Sequence, residues 1–205
     1  HPLIGNHEAM ILLGDLRYMT DAEKESFGGE AGLSKAMGPG GVYGDWVRSN
    51  NATIRINDTV FAHGGLTPEV VTAYKTLARI NDAVLTDLVR GKLERCLAMS
   101  GNGPLWSRKW PTEMQADRKE ATRQIAAMLG KLKARRMVVG HTVSRNGVVA
   151  GLGQHLVAID VGMSSVYGGA AACIVIEKGG VWVLEDGKPK RELIEPTTTQ
   201  PDEET

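Results

Sequence analysis

Three histidines in this chain stand at or within two residues of glycine in short polar stretches. They are His7 in Ile4–Met10 (IGNHEAM), His63 in Val60–Gly65 (VFAHGG) and His141 in Met137–Thr142 (MVVGHT). Imidazoles in such settings suit two chemistries, proton transfer near neutral pH and ligation of a divalent cation. Asn6 adds an amide oxygen beside His7, and Glu8 adds a carboxylate. Read alone, the same residues are also a polar helix start, because Asn is a favoured N-cap and Glu suits a first turn. All three histidines are predicted at the C-terminal ends of strands, where α/β folds place their ligands. His1 and His155 lack that setting and are assigned no role.

The elements that must position these groups alternate between helical and extended patterns. Leu3–Gly5 reads as a strand end; helices are predicted over Glu8–Leu13, over Asp21–Phe27 behind a Thr20/Glu23 capping box, and over Val42–Ser49. The period then changes. Ala52–Asn57 alternates, Thr59–Gly65 is a β-branched and aromatic run stopped by glycines, and Asn57-Asp58 between them predicts a tight hairpin. A long helical region follows, with Pro68 at a first helical position after Thr67 and apolar residues three and four apart through Glu69–Ile80 and Ala83–Met99. Ser100–Pro104 breaks the pattern and Asp117–Leu132 resumes it. Strands are predicted over Arg136–Val139, Gly147–Ala150, Leu156–Val161, Ala171–Glu177 and Val181–Leu184. This order predicts a layered α/β domain with mixed sheets. Residues 196–205 (PTTTQPDEET) carry no apolar side chain and predict a disordered acidic tail.

Composition narrows the function classes. The 205 residues are 42% hydrophobic and 23% charged, ordinary for one globular domain. Basic and acidic residues balance at 24 each, so bulk charge draws the chain neither to nucleic acid nor to an anionic membrane. No apolar run approaches the roughly 20 residues of a membrane helix, and no secretory leader is visible after His1. Cys96 and Cys173 sit among apolar neighbours and are expected to be small buried hydrophobes, not a disulfide framework.

Taken together, GNHE (Gly5–Glu8), HGG (His63–Gly65) and GHT (Gly140–Thr142) resemble the later motifs of the calcineurin-like metallophosphoesterases, the superfamily of the Ser/Thr phosphoprotein phosphatases. GNHEAMILLGDLRY, INDTVFAHGGLTP, GPLWSR and VAIDVGMSSVYGG resemble more narrowly the Shewanella-like protein phosphatases, over a stretch from His1 to about Leu184. The resemblance implies an α/β fold, a layered mixed β-sandwich flanked by helices. It implies a phosphomonoester hydrolase with two divalent transition-metal ions (Mn, Fe or Zn) that share an attacking hydroxide. Asn6, His63 and His141 match ligands of the second metal, a donor set suited to borderline cations. His7 matches the proton donor to the leaving group. Glu8 is expected to support the site from behind the ligands, or to be only a first-turn helix acid. Arg108 matches a phosphate-gripping arginine, the alternative being a surface residue. Tyr167 is expected at the border of the substrate pocket or packed at a strand end, and Trp106 and Trp110 as pocket walls or core.

One departure is as informative as the matches. The family's Asp-x-His and Gly-Asp-x-x-Asp-Arg-Gly motifs, which supply the first metal's ligands, the bridging Asp and a second arginine, do not occur in these 205 residues. The expectation is therefore a metallophosphoesterase domain over residues 1–190, incomplete at its N-terminus, with its first strands missing. This chain alone is then expected to be inactive and the parent to be a protein phosphatase. The rivals are a small-molecule phosphoesterase, such as a dinucleotide polyphosphate hydrolase, and a non-catalytic remnant that binds a partner. Expected partners are a phosphorylated protein or a small phosphoester, with no nucleic acid, in a soluble protein for which the cytoplasm is favoured.

Overall fold

The computed structural model describes residues 1–91, 96–114 and 118–195. Asp117 and residues 196–205, and with them the expected tail, lie outside the described residues. Leu3 makes a single parallel bridge to Asn51 before helix α1 (Asn6–Leu12) begins. Helices α2 (Asp21–Ser26), α3 (Gly29–Met37) and α4 (Val42–Arg48) follow. The Thr20/Glu23 capping box forms as expected: the Thr20 Oγ1 accepts from the Glu23 N–H, and the Glu23 carboxylate accepts from the Thr20 N–H. Helix α3 was not expected, because three glycines in Gly28–Met37 dilute its apolar pattern.

Strands β1 (Thr53–Ile56) and β2 (Thr59–Ala62) form the hairpin, with Asn57 at φ 54° in the left-handed region that Asn tolerates. The helical region after β2 is divided. Helix α5 (Pro68–Tyr74) stops at Lys75, whose φ of 67° ends the helix, and Thr76 caps α6 (Leu77–Arg90) by accepting from the Arg79 N–H. A short helix, α7 (Lys109–Glu113), precedes α8 (Arg118–Lys131). Strands β3 (Arg136–Val139), β4 (Val149–Gly151), β5 (Leu156–Ala158), β6 (Ala172–Glu177), β7 (Gly180–Glu185) and β8 (Arg191–Glu192) complete the described fold.

Two sheets result. The five-stranded sheet runs β1-β2-β3-β5-β4, and the three-stranded antiparallel sheet runs β6-β7-β8. Strands β2, β3 and β5 are mutually parallel, in a register that sets Ala62 beside Val139 and Val139 beside Ala158. Their buried residues alternate between faces. Val60, Met137, Val139 and Leu156 pack against α5 and α8, whereas Val138 and Val157 share a cluster with Val181, Val183 and Leu193 of the second sheet side. Trp110 is buried in the helical layer, its Nε1 donating to the Leu66 carbonyl, so it belongs to the core. Cys96 is buried as expected, but Cys173 is exposed: Ala172, Ile174 and Ile176 of β6 pack on the core, so Cys173 between them faces the other way. Among the described residues no helix is long and apolar enough to cross a membrane.

Candidate metal and phosphate site

The parallel register brings three chain segments to one edge of the sheet. His63 directly follows β2, His141 lies two residues past β3, and Asp160 lies two residues past β5. The turns there are tied together: the Gly140 N–H donates to the His63 carbonyl at 2.8 Å and the Ser144 N–H to the Asp160 carbonyl at 2.8 Å. Helix α1 delivers Asn6 to the same place. Asn6 is buried, and its Oδ1 lies 2.8 Å from His63 Nε2. His7 differs from expectation in its setting. It sits in the first turn of α1, not at a strand end, because Gly5 already caps the helix and the extended segment before it makes only one bridge.

Glycine decides how closely these segments approach. A Cβ on Gly64 would lie 2.8 Å from the Ser107 nitrogen and 2.9 Å from the Trp106 nitrogen, so only glycine lets the HGG turn lie on the LWSR segment. The Gly64 N–H donates to the Pro104 carbonyl at 2.7 Å, which fixes that approach. Arg108 is thereby set beside His141: its Nη1 donates to the His141 carbonyl at 2.8 Å and to Thr142 Oγ1 at 3.4 Å. His141 itself has φ 64°, a conformation uncommon for a residue with a side chain and a mark of local strain.

These groups line one open cleft of about 610 Å³ together with Glu8, Tyr18, Trp106 and Tyr167. The His63 and His141 ring centres are 5.0 Å apart, and Trp106 stands edge-on to His141 at 5.9 Å. His7 stacks on Tyr18 with centroids 5.1 Å apart and planes 11° from parallel. Glu8 accepts from the Gly5 N–H at 3.0 Å, so it holds the turn that introduces Asn6 and His7. All seven residues singled out from the sequence (Asn6, His7, Glu8, His63, Arg108, His141 and Tyr167) therefore border this cleft. Tyr18 and Asp160 were missed. A signal for Asp160 was present, since it follows a strand in AID as His63 follows one in FAH.

The donor set fits a cation. Among the described residues no three of His, Cys, Asp and Glu converge as a metal group; the polar atom beside the two imidazoles is the Asn6 amide oxygen, 2.8 Å from His63 Nε2. His141 Nε2 is buried without a hydrogen-bond partner, an orphan that a ligated ion would satisfy. Burial holds both imidazoles below their ordinary range, His141 to about 4 with the Arg108 charge adding to the effect. Both rings are thus neutral at pH 7, the form that ligates.

That depression has a sign in stability. Unfolded imidazole titrates near 6.5, so between about 6.5 and about 4 the unfolded state binds a proton that folded His141 does not. The contribution is constant above 6.5 and is lost as pH falls through that window. Urea midpoints measured in chelator should therefore fall from pH 6.5 to pH 4, and His141→Gln should flatten the decline. An equal slope in both proteins would show that the ring is not held neutral.

No family model matches the chain. An uncharacterized protein of Schizosaccharomyces pombe is 29% identical over 184 residues, covering 86% of this chain and 54% of its own length. Shewanella-like protein phosphatase 2 of Arabidopsis thaliana is 27% identical over 208 residues, covering 78% of this chain and 52% of that protein. The crystal structure of a cold-active protein-tyrosine phosphatase from a psychrophilic Shewanella species aligns with a TM-score of 0.78 at 25% identity, over 95% of this chain and 58% of that one. The chain is homologous to the Shewanella-like protein phosphatases. A point mutant of the cold-active enzyme gives the same view, with a TM-score of 0.81 at 25% identity. This Shewanella-like phosphatase homologue spans about half the length of the curated relatives it matches.

Proposed function

We propose that this chain carries part of the active site of a metal-dependent protein phosphatase that acts on phosphotyrosine. Its two sheets would form the β-sandwich of the metallophosphoesterases. The observation that carries the reading is the meeting of Asn6, His63 and His141, from three separate segments, around a buried imidazole nitrogen that has no partner.

In this reading Asn6 Oδ1 and the two imidazoles hold one Mn, Fe or Zn ion, and a second ion takes donors from outside this chain. Bound metal supplies Lewis acidity to the phosphoryl oxygens and acidifies water. Arg108 commits Nη1 to the His141 carbonyl and Thr142, which fixes the guanidinium plane and leaves its other N–H groups for the phosphate. His7 is exposed on the cleft wall with its ring plane set by Tyr18, where it hands a proton to the departing oxygen. Glu8 keeps the Gly5 turn in place. Tyr18, Trp106 and Tyr167 give the cleft aromatic walls, which suit an aryl phosphate, and the cold-active Shewanella enzyme that the chain resembles is named a protein-tyrosine phosphatase.

The test is made on the full-length protein, with phosphotyrosine and phosphoserine peptides and Mn²⁺, before and after chelation. Hydrolysis of the phosphotyrosine peptide, lost on chelation and restored by Mn²⁺, is the expected result. Faster turnover of a dinucleoside polyphosphate would replace this reading with the small-molecule one. Unchanged activity after exhaustive chelation would remove the metal from it. The 205 residues alone serve as the control and should stay at background, because the two motifs assigned to the other metal do not occur in them.

A further inference from the structure

We propose that a second pocket beside the histidine cleft binds a carboxylate that flanks the phosphorylated residue of a protein substrate, with Arg145 as its cation; the inference rests on the protein-phosphatase reading above. This pocket, of about 380 Å³, shares Val143 and Tyr167 with the cleft, so a polypeptide held at the phosphate passes directly over a common wall. Arg145 lines it, is exposed, and among the described residues makes no hydrogen bond or ion pair. The pocket's acid, Glu185, is paired with Lys188 Nζ at 2.6 Å. Lys188, just outside the lining, offsets that carboxylate, which leaves the Arg145 charge without a partner among the described residues.

The floor is preformed. The Ser144 N–H donates to the Asp160 carbonyl, which pins the loop of Arg145 to the end of β5. The Gly169 N–H donates to the Gly162 carbonyl at 2.9 Å, and a Cβ on Gly169 would meet the Val161 oxygen at 1.7 Å. Only glycine fits there, and it lets the Gly168–Ala170 segment pack directly on the Val161–Gly162 backbone as one wall of the pocket. One guanidinium matches one carboxylate.

The test compares kcat/KM of the full-length protein on a phosphotyrosine peptide with flanking glutamates and on the same peptide with glutamines. The wild type should favour the acidic peptide by about fivefold, the upper range for an exposed ion pair. Arg145→Ala should bring that ratio to about one, and Arg145→Glu should invert it. A ratio that survives both substitutions, or no preference in a wild type that hydrolyses both peptides, would overturn the subsite alone. An Arg145 effect confined to a dinucleoside polyphosphate would overturn it in favour of a second phosphate. A wild type that cleaves neither peptide but does cleave small phosphoesters would overturn the subsite together with the protein-phosphatase reading.

Discussion

His63→Ala and His141→Ala in the full-length protein are expected to lower bound metal and phosphatase activity together. Replacing even an outer partner of a metal-ligating residue costs about 10–100-fold in affinity, so removing a donor imidazole should cost at least about 10²-fold. His141 should be the more severe loss, since its buried Nε2 has no hydrogen bond inside the protein and so no competing partner. His63 already lies 2.8 Å from Asn6 Oδ1, and its removal also frees that amide to turn away. Metal content by mass spectrometry and turnover of an aryl phosphate are measured on the same preparations. His155→Ala is the control: that ring precedes β5 at the opposite end of the strand, with Nδ1 against the Arg135 carbonyl at 2.7 Å. Normal metal occupancy in both His63→Ala and His141→Ala would remove these residues as ligands.

The second large effect is selective. His7→Asn should retain metal yet slow hydrolysis of poor leaving groups by roughly 10²–10⁴, the usual worth of general acid catalysis. Aryl phosphates with acidic leaving groups need little protonation and should lose far less. The side chain is well set for such a separation, because His7 is exposed in the first turn of α1 and packs on Tyr18, while Asn6 turns inward and is buried. A plot of log kcat against leaving-group pKa should steepen in His7→Asn. A parallel downward shift, equal for good and poor leaving groups, would mean that His7 orients substrate or supports Asn6 instead.

Much of this arrangement was legible from residue types because the physical signals were local. A capping box, a β-branched run stopped by two glycines and a Pro after a Thr each report on a few neighbours, and each marked its element. His63 and His141 were found because strand ends announce themselves by a change from apolar residues to glycine. What was missed depends on distant partners or on weak patterns. Helix α3 is diluted by glycine, and α7 is short with Pro111 inside it. The division between α5 and α6 turns on one left-handed residue, Lys75, which apolar spacing does not reveal. Tyr18 reaches the cleft from the irregular segment after α1, where it stacks on His7, and no periodicity encodes that. The exposure of Cys173 follows from which face of β6 meets the core, a choice its apolar neighbours on both sides do not reveal.

The shared register of β2, β3 and β5 has a consequence for how sequences of this kind can vary in length. Each strand acts as a ruler that ends at a reactive side chain, and the three rulers are aligned at Ala62, Val139 and Ala158. Deleting one residue within β3 would draw His141 back by about 3.3 Å and turn its strand's side chains to opposite faces. Inserting several residues into the exposed Asp186–Lys190 turn between β7 and β8 leaves all three rulers untouched, and a longer surface connection costs little in closure entropy. Divergent copies of this chain should therefore differ freely in loop length while keeping the count from each strand's start to its terminal His or Asp, so the cleft is traced between them by residues counted along strands.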